Sequence, residues 1–276
     1  MRHPSVCLTS RANKTLRYVP GAGVTAASRE QCVNDRVALI TGGARGIGRA
    51  VGIDLAKQGW AVAFCYRTSV DDALRTKAAI ESQGAAALAI QADVSEVTAA
   101  ERLVAEVSDA WGRIDALINC AGPYHRVNIL EETPEGWRSM FANNLDAVFY
   151  VSRAAIPGMI ERKWGRIVNF GIATAERLAA QPGLTAHYIA KAGVLVLTRT
   201  LARTLAPHGI TVNAISPGYI DSGGTPVEEL QALVKRIPAG YVGDPEDAAN
   251  VVRFLLSEDA RYVNGANITV SGGWGV

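Results

Sequence analysis

From Arg36 onward, short apolar runs alternate with longer segments in which apolar residues recur at helical spacing. The first run, residues 37–40, is fully apolar and ends in Thr-Gly-Gly, which is typical of a buried strand followed by a tight turn. The next segment, residues 48–58, continues a stripe of Ile47, Val51 and Leu55 on one helix face. Gly59 follows where such a helix would end. The pattern therefore predicts a strand followed by a helix.

This alternation continues to the end of the chain. The predicted strands cover residues 37–40, 61–65, 87–92, 116–120, 166–170, 210–216 and 267–270, and the predicted helices cover residues 48–58, 73–82, 97–111, 135–160, 187–205 and 245–256. Strands separated by helices of this length pair in parallel through right-handed crossovers. Parallel strands that are covered on both faces are continuously apolar, as these are. The sequence predicts an α/β fold with a doubly wound parallel sheet in three α/β/α layers.

The chain length of 276 residues suits one large domain, which we place at residues 35–276. Residues 1–34 differ from the rest, because they carry four arginines and one lysine, no acid before Glu30 and no sustained hydrophobic periodicity. One interpretation is an organellar transit peptide, which tends to be Arg-rich and acid-poor. The other is a disordered leader, or an upstream start codon, with no part in the fold.

Composition excludes several classes of function. Hydrophobic residues make up 49% of the chain, charged residues 20%, and the net charge is +2, so bulk electrostatics gives no support for nucleic-acid or membrane-surface binding. No apolar run approaches the ~20 residues that span a bilayer. The four cysteines show neither CxxC pairing nor zinc-ligand spacing. We therefore expect no metal site, and a reducing, cytoplasmic setting.

A glycine-rich turn joins the first predicted strand to the first helix. Residues 41–48 read TGGARGIG and contain Gly42, Gly46, Ile47 and Gly48. Glycines let the backbone turn tightly and approach a pyrophosphate, whose charge then lies at the helix N-terminus. At the first turn of a full alternating series, this motif predicts a Rossmann-type site for a dinucleotide.

The end of the second predicted strand bears on the choice between NAD and NADP. An acidic residue there would bind the ribose 2′-hydroxyl and repel a 2′-phosphate. This chain has Tyr66, Arg67 and Thr68 and no acid. Arg67, together with Arg45, could bind the phosphate through charge-assisted hydrogen bonds. The alternative is two solvated surface arginines. We favour NADP(H) as the cofactor.

Six motifs now occur in one order along residues 36–276. They are TGGARGIG at 41–48, ADV at 92–94, NCAG at 119–122, NL at 144–145, KAG at 191–193 and SPG at 216–218. With these motifs in this order, the chain resembles the short-chain dehydrogenase/reductase family. Within that family its general likeness is to the 3-oxoacyl-carrier-protein reductases. Six ordered motifs are far more specific than one glycine cluster.

The resemblance implies a role for each matching residue. Asn144 matches the asparagine that anchors a proton-relay water, and Lys191 matches the lysine that bonds the nicotinamide ribose and lowers the pKa of a catalytic tyrosine. The remaining implied cofactor contacts are Asp93 and Val94 beside the adenine, Asn119, Ala121 and Gly122 at the fourth strand, and Pro217, Gly218, Ile220 and Ser222 at the nicotinamide end.

Two positions depart from the family pattern. Where the family has its active serine, this chain has Gly171 or Ile172, and the nearest hydroxyl is that of Thr174. The family also spaces tyrosine and lysine four residues apart, whereas Tyr188 and Lys191 are three apart, and His187 holds the tyrosine position. If the helix keeps the family frame, Tyr188 turns away by about 100°. A one-residue shift of the helix start would bring Tyr188 back, so both His187 and Tyr188 remain candidate proton donors.

These residues predict an NADP(H)-dependent reductase of a carbonyl or conjugated (C=C or C=N) group in a small, moderately apolar molecule. Residues 222–244 would cap the site, with Gly223 and Gly224 as a hinge and an apolar face beyond them. The alternative is a dinucleotide-binding protein without redox turnover, which would act as a sensor or assembly partner. By resemblance, helices 140–160 and 187–205 would join copies of the chain into a homo-oligomer, a tetramer or dimer.

Overall fold

Seven strands form the central sheet of the protein. The computed structural model describes residues 36–222 and 226–275, so the leader 1–34 and the glycines Gly223 and Gly224 lie outside the described residues. The strands are β1 (Val37–Thr41), β2 (Ala61–Tyr66), β3 (Ala87–Gln91), β4 (Ala116–Asn119), β5 (Gly165–Phe170), β6 (Ile210–Pro217) and β7 (Asn267–Val270). All of them pair in parallel, in the order β3-β2-β1-β4-β5-β6-β7. The predicted doubly wound sheet is confirmed.

The helices follow the strands in the expected alternation. They are α1 (Gly46–Lys57), α2 (Val70–Glu81), α3 (Val97–Trp111), α4 (Pro134–Phe141), α5 (Ala147–Arg162), α6 (Thr185–Leu205), α7 (Val227–Val234) and α8 (Pro245–Leu256). For two helices, α3 and α8, the predicted first and last residues are those of the structure. In α8 the start is set by a capping box, in which Asp244 and Asp247 each accept a hydrogen bond from the other's backbone N–H.

The core consists of two apolar layers, one on each face of the sheet. Side chains alternate between faces along a strand, so Val37 and Leu39 of β1 join the layer with α3, α5 and α6, whereas Ala38 and Ile40 join the layer with α1, α2 and α8. All five residues of β1 and all six of β5 are buried. This is why the strands read as continuous apolar runs.

The predicted helical region over residues 135–160 is helical throughout, but it is divided in a way that the sequence pattern did not indicate. The structure has α4 and α5 joined by a wide π-helical turn, Ala142–Asp146. Thr133 caps the start of α4 by accepting a hydrogen bond from the N–H of Gly136, with Pro134 next to it. The π turn is only five residues long, which is too short for apolar periodicity to distinguish it from the α-helices on either side.

The carboxyl ends of β1 and β4 form the point where the chain direction across the sheet reverses. From β1 the chain proceeds to β2 and β3 on one side, and β4 begins the other side. Ligands of doubly wound sheets bind in the crevice at such a point. Among the described residues, no helix combines the length and apolar character needed to cross a membrane.

Candidate active site

Glycines shape the turn between β1 and α1. Gly42 and Gly46 have φ angles of +69° and +55°, in the left-handed region that favours glycine. A Cβ on Gly48 would lie 2.5 Å from the carbonyl oxygen of Gly42, so a larger residue could not let α1 approach the loop this closely. Ile47 packs against the apolar layer beneath. The N-terminus of α1, with its unpaired N–H groups, therefore opens on the crevice.

The crevice contains a cavity of about 280 Å³. Half of the predicted cofactor-binding residues line it, namely Gly42, Arg45, Tyr66, Arg67, Thr68, Asp93, Val94, Ala121 and Gly122. Arg45 and Arg67 mark one end, which we call the arginine end. The strand ends that carry these residues are neighbours in the sheet, and this is why residues distant in sequence meet here.

Arg67 is held only loosely at the arginine end. Its guanidinium Nη1 donates to Oδ1 of Asn143 at 3.2 Å and lies 3.7 Å from Oδ2 of Asp93. The side chains of Arg67 and Asp93 are 54% and 39% exposed, and exposed ion pairs of this kind contribute little free energy. Asp93 is itself oriented by the N–H and hydroxyl of Ser95. Turning Arg67 toward an anion in the cavity would therefore cost little.

Asn119 is placed differently from the other predicted contacts. Its side-chain amide is buried and donates to Oγ of Ser152 and to Oδ1 of Asn169, and the Asn169 amide in turn donates to Thr198. These bonds connect β4 and β5 to α5 and α6. Asn119 does not line the cavity, whereas Ala121, two residues later, faces Gly42 and bonds through its N–H to Thr41.

The segment after β6 runs along the far side of the crevice. The carbonyl of Pro217 accepts a hydrogen bond from the N–H of Ala173, and Gly218 packs against Ser271, where a Cβ would lie 2.7 Å from the serine Cβ. Ile220 pairs with Gly243. Ser222 returns to the glycine turn, with its hydroxyl 3.1 Å from the position of a Cβ on Gly46. The four predicted residues of this segment thus span from β6 back to α1.

Lys191, Asn144 and Gly122 meet at the other end of the crevice, which we call the lysine end. A Cβ on Gly122 would lie 2.5 Å from Oδ1 of Asn144 and 3.0 Å from Nζ of Lys191. Asn144 lies in the π turn, where its amide donates to the carbonyls of Pro123 and Met140. Its buried Oδ1 has no partner among the described residues. Nζ of Lys191 donates to the carbonyl of Phe170 at 2.9 Å.

Helix α6 keeps the frame in which the tyrosine position holds His187. His187 and Lys191 are one turn apart and both are buried. Tyr188 packs instead with Ala175, Leu195 and Ala214. Its hydroxyl donates to the carbonyl of Thr174 at 2.5 Å and accepts from the N–H of Ala179 at 3.2 Å. The phenol of Tyr188 is therefore engaged in fixing the loop before α6, and the helix start has not shifted to bring it to Lys191.

The serine position is not filled by Thr174 either. The backbone of Thr174 has φ of +77°, and its methyl group lies 2.4 Å from the position of a Cβ on Gly275, so the side chain faces the C-terminal segment. Gly171 lies against Ser216, whose hydroxyl would meet a Cβ there at 2.6 Å. That hydroxyl already donates to Oδ1 of Asn267. The loop 171–174 thus brings no hydroxyl of its own to the lysine end.

Burial sets the charge states at the lysine end. Burial, the charge of Lys191 and the charge of His125 together lower the pKa of His187 to about 4, against a smaller opposing effect of the Pro123 carbonyl. Burial also lowers the pKa of Lys191 to about 8 and raises that of Cys120, despite the nearby Lys191, to about 12. Near neutral pH, His187 is an uncharged imidazole, Lys191 is mostly cationic and Cys120 is a thiol.

Sequence reasoning missed two groups of residues that the fold brings to the crevice. Asn143 and Pro123 line the cavity, and Asn143 could have been suspected from its place beside Asn144. The loop after β4 also carries a buried carboxylate, Glu132, whose Oε2 lies 2.8 Å from Nε2 of His125. No spacing rule links these two residues, because they meet only through the path of the loop.

Comparison with known proteins gives consistent matches over the whole domain. The family model described as enoyl-(acyl carrier protein) reductase matches residues 42–275. The chain is 36% identical to a 3-oxoacyl-[acyl-carrier-protein] reductase of Synechocystis sp. over 239 residues, which is 86% of this chain and 96% of the relative. It is 37% identical to a (3R)-3-hydroxyacyl-CoA dehydrogenase of Canis lupus familiaris over 248 residues, covering 86% and 95% of the two chains.

Solved structures agree with these matches. A short-chain dehydrogenase/reductase from Serratia marcescens superposes with a TM-score of 0.83 at 32% identity, covering 88% of this chain and 99% of that one. A protein from Sinorhizobium meliloti described as a short-chain alcohol dehydrogenase superposes with a TM-score of 0.81 at 32% identity, covering 87% and 96%. Sequence and structure therefore point to the same group of proteins.

Proposed function

The chain belongs to the short-chain dehydrogenase/reductase family of oxidoreductases, and from this premise we propose that it is an NADP(H)-dependent reductase. Its substrate is a small molecule with a carbonyl or a conjugated C=C or C=N group. The observation that carries the proposal is the crevice itself, which has cationic side chains at the arginine end and Lys191 with Asn144 at the lysine end.

The crevice fits an elongated dinucleotide. At the glycine turn, a Cβ on Gly48 would meet the Gly42 carbonyl oxygen and one on Gly46 would meet the Ser222 hydroxyl. The bare backbone therefore packs closely here and brings the N-terminus of α1, which can bind a phosphate, up to the crevice. At the lysine end, the unpartnered Oδ1 of Asn144 offers a buried acceptor, and an unsatisfied buried acceptor calls for a ligand or water. The residues present thus suit a pyrophosphate in the middle and polar groups at each end.

The preference for NADP(H) rests on Arg67 and Arg45. Guanidinium groups bind phosphate oxygens through paired, charge-assisted hydrogen bonds. Arg67 is half-exposed and weakly paired with Asp93, so a 2′-phosphate would meet a group that can turn toward it. Asp93 lies on the next strand end rather than at the tip of β2, where a carboxylate would select the unphosphorylated ribose.

At the lysine end, a bound reduced nicotinamide would supply a hydride. Lys191 and Asn144 would hold the ribose and a relay water, because Nζ and Oδ1 face the same point above Gly122. The cationic Lys191 also stabilises negative charge that develops on a substrate oxygen. His187, uncharged near neutral pH, offers a hydrogen-bonding group and is a poor source of protons.

The substrate side supports a moderately apolar molecule. Helix α7 carries Leu230, Leu233 and Val234 half-buried on one face, and no described residue of α7 is fully buried. A helix attached this lightly can move over a bound substrate. The named relatives act on 3-oxoacyl and 3-hydroxyacyl groups, which combine a polar carbon–oxygen group with an acyl chain.

A second candidate function is dinucleotide binding without turnover. One observation favours it, namely that Tyr188 and Thr174 are both committed to contacts away from Lys191. Both functions require cofactor binding, and only the reductase requires oxidation of the cofactor by a substrate.

The deciding experiment combines calorimetry with spectrophotometry. The full chain is titrated with NADPH and with NADH, and NADPH oxidation is then followed with acetoacetyl-CoA, crotonyl-CoA and a cyclic imine as probes. The reductase proposal expects tighter binding of NADPH and substrate-dependent loss of reduced cofactor, with Lys191→Met as the impaired control. NADPH binding without oxidation by any of the three probes would favour the second function, and absence of binding heat would refute both.

A further inference from the structure

Among the described residues, neither α6 nor the loop 171–174 brings a free hydroxyl to the lysine end. Tyr188 donates its hydroxyl proton to the Thr174 carbonyl, and the side chain of Thr174 faces Gly275. His187 is uncharged near neutral pH, and a neutral imidazole is a very weak acid. Reduction of a carbonyl nevertheless needs one proton for each hydride, and neither Tyr188, Thr174 nor the uncharged His187 is placed to supply it.

Tyr124 lies over His187. The centroids of the two rings are 6.0 Å apart, and the ring planes are inclined by 58°. Tyr124 follows Gly122 and Pro123, which line the crevice, and it is 62% exposed. The phenol therefore lies beside the residue that holds the family tyrosine position, one helical turn from Lys191, and keeps access to solvent.

The loop that carries Tyr124 is fixed on both sides of the ring. Before it, the carbonyl of Pro123 accepts a hydrogen bond from the Asn144 amide at 2.9 Å. After it, Nε2 of His125 lies 2.8 Å from Oε2 of the largely buried Glu132. This pair sits on α4 at Gly136, where a Cβ would meet Oε1 of Glu132 at 2.3 Å. Tyr124 is therefore held between two anchors rather than on a free loop.

We propose that Tyr124 is the catalytic acid of this protein and supplies the proton that α6 does not. The proposal rests on the proposed reductase function. As a hydride reaches the carbonyl carbon, the π pair of the C=O bond becomes a lone pair on oxygen, and the Tyr124 hydroxyl gives its proton to that oxygen. The products are the alcohol, the oxidised nicotinamide and a phenolate, which then takes a proton from water.

The neighbours of Tyr124 suit this role. The cation of Lys191 contributes to the lowered pKa of His187, so it lies close to the imidazole against which the Tyr124 ring packs. The buried Nδ1 of His187 has no partner among the described residues, so in the uncharged ring it can accept a hydrogen bond. The exposure of Tyr124 lets water restore the proton after each turnover.

Removal of single hydroxyl groups tests the assignment. With NADPH and acetoacetyl-CoA, Tyr124→Phe should lower kcat by about 10²-fold or more, the range of a lost general acid, with little change in NADPH affinity. Tyr262→Phe is the matched control, because Tyr262 is 99% exposed and is not among the residues that line the cavity. A loss of kcat in Tyr188→Phe with full activity in Tyr124→Phe would overturn the proposal.

A second readout does not depend on turnover. The chain has eight tyrosines, so the ¹⁹F NMR spectrum of the 3-fluorotyrosine-labelled protein can be assigned by removing them one at a time. Addition of NADP⁺ should move the Tyr124 resonance and leave that of Tyr262 in place. An unmoved Tyr124 resonance overturns the assignment even if the wild type is active. A moved resonance in a protein that oxidises NADPH with none of the probes refutes the proposed function and supports the location of Tyr124 at the cofactor.

Discussion

Gly122→Ala is expected to damage the lysine end while leaving the backbone unstrained, because Gly122 has no positive φ. The new Cβ would lie 2.5 Å from Oδ1 of Asn144 and 3.0 Å from Nζ of Lys191, closer than non-bonded atoms approach. Asn144 must move and loses hydrogen bonds to Pro123 and Met140, each worth about 1 kcal/mol. We therefore expect a loss of about 2 kcal/mol, or roughly 4–8 °C in Tm.

Turnover should fall further than stability, because a misplacement of about 1 Å in a catalytic group can cost about 10²-fold in rate. The assay is a thermal melt together with kcat for NADPH oxidation. Gly183→Ala is the matched control, since a Cβ there meets nothing within 4 Å, and it should be neutral or slightly stabilising. If Gly122→Ala matches Gly183→Ala in both Tm and kcat, the close approach of Asn144 and Lys191 to Gly122 is refuted.

The charged groups and exposed helices give four further effects. Arg67→Asp should weaken NADPH binding by about 10-fold or more, because a hydrogen bond to a charged group is lost, and should leave the affinity for NADH unchanged. Both affinities are measured by calorimetry, with Arg102→Asp as the control. Since the pKa of Lys191 is about 8, kcat should fall as pH rises through 8, and Lys191→Met should lack this fall. The pKa of His187 is lowered to about 4, so urea melts should show stability lost as pH falls from 6.5 to 4, less so in His187→Phe. Val196 and Phe149 are 64% and 45% exposed on α6 and α5, and Val196→Glu should reduce the mass measured by light scattering if these faces join copies of the chain.

The sequence predicted the sheet well because the strands are short, mostly apolar runs, and the central ones are buried on both faces. The bounds of α3, α8 and β7 were also predictable, since clear polar or turn residues flank each element. The glycine turn could be located because a tight turn between strand and helix favours glycine, and Lys191 could be located because its motif resembles the family pattern.

The features of the fold and the candidate site that the sequence did not predict depend on tertiary contacts. Whether His187 or Tyr188 faces the crevice was undecided from spacing, because both share a helix face with Lys191. In the structure the hydroxyl of Tyr188 bonds to the carbonyl of Thr174, a contact between α6 and the loop before it that spacing along the helix does not reveal. Asn119 carries a family motif and yet turns into the core. Helix α7 was predicted only as an apolar-faced segment, since eight residues give too little periodicity.

The polar bonds around Asn119 have a consequence for how this protein can change. Apolar cores accept many volume-conserving substitutions, but a hydrogen-bonded chain through Asn119, Asn169 and Thr198 requires each partner at a fixed distance. This series of hydrogen bonds connects β4 and β5 to α6, the helix that carries Lys191. Mutational drift can therefore alter the apolar layers while the spacing between strand ends and Lys191 stays constant, so new substrates can be acquired without rebuilding the catalytic frame.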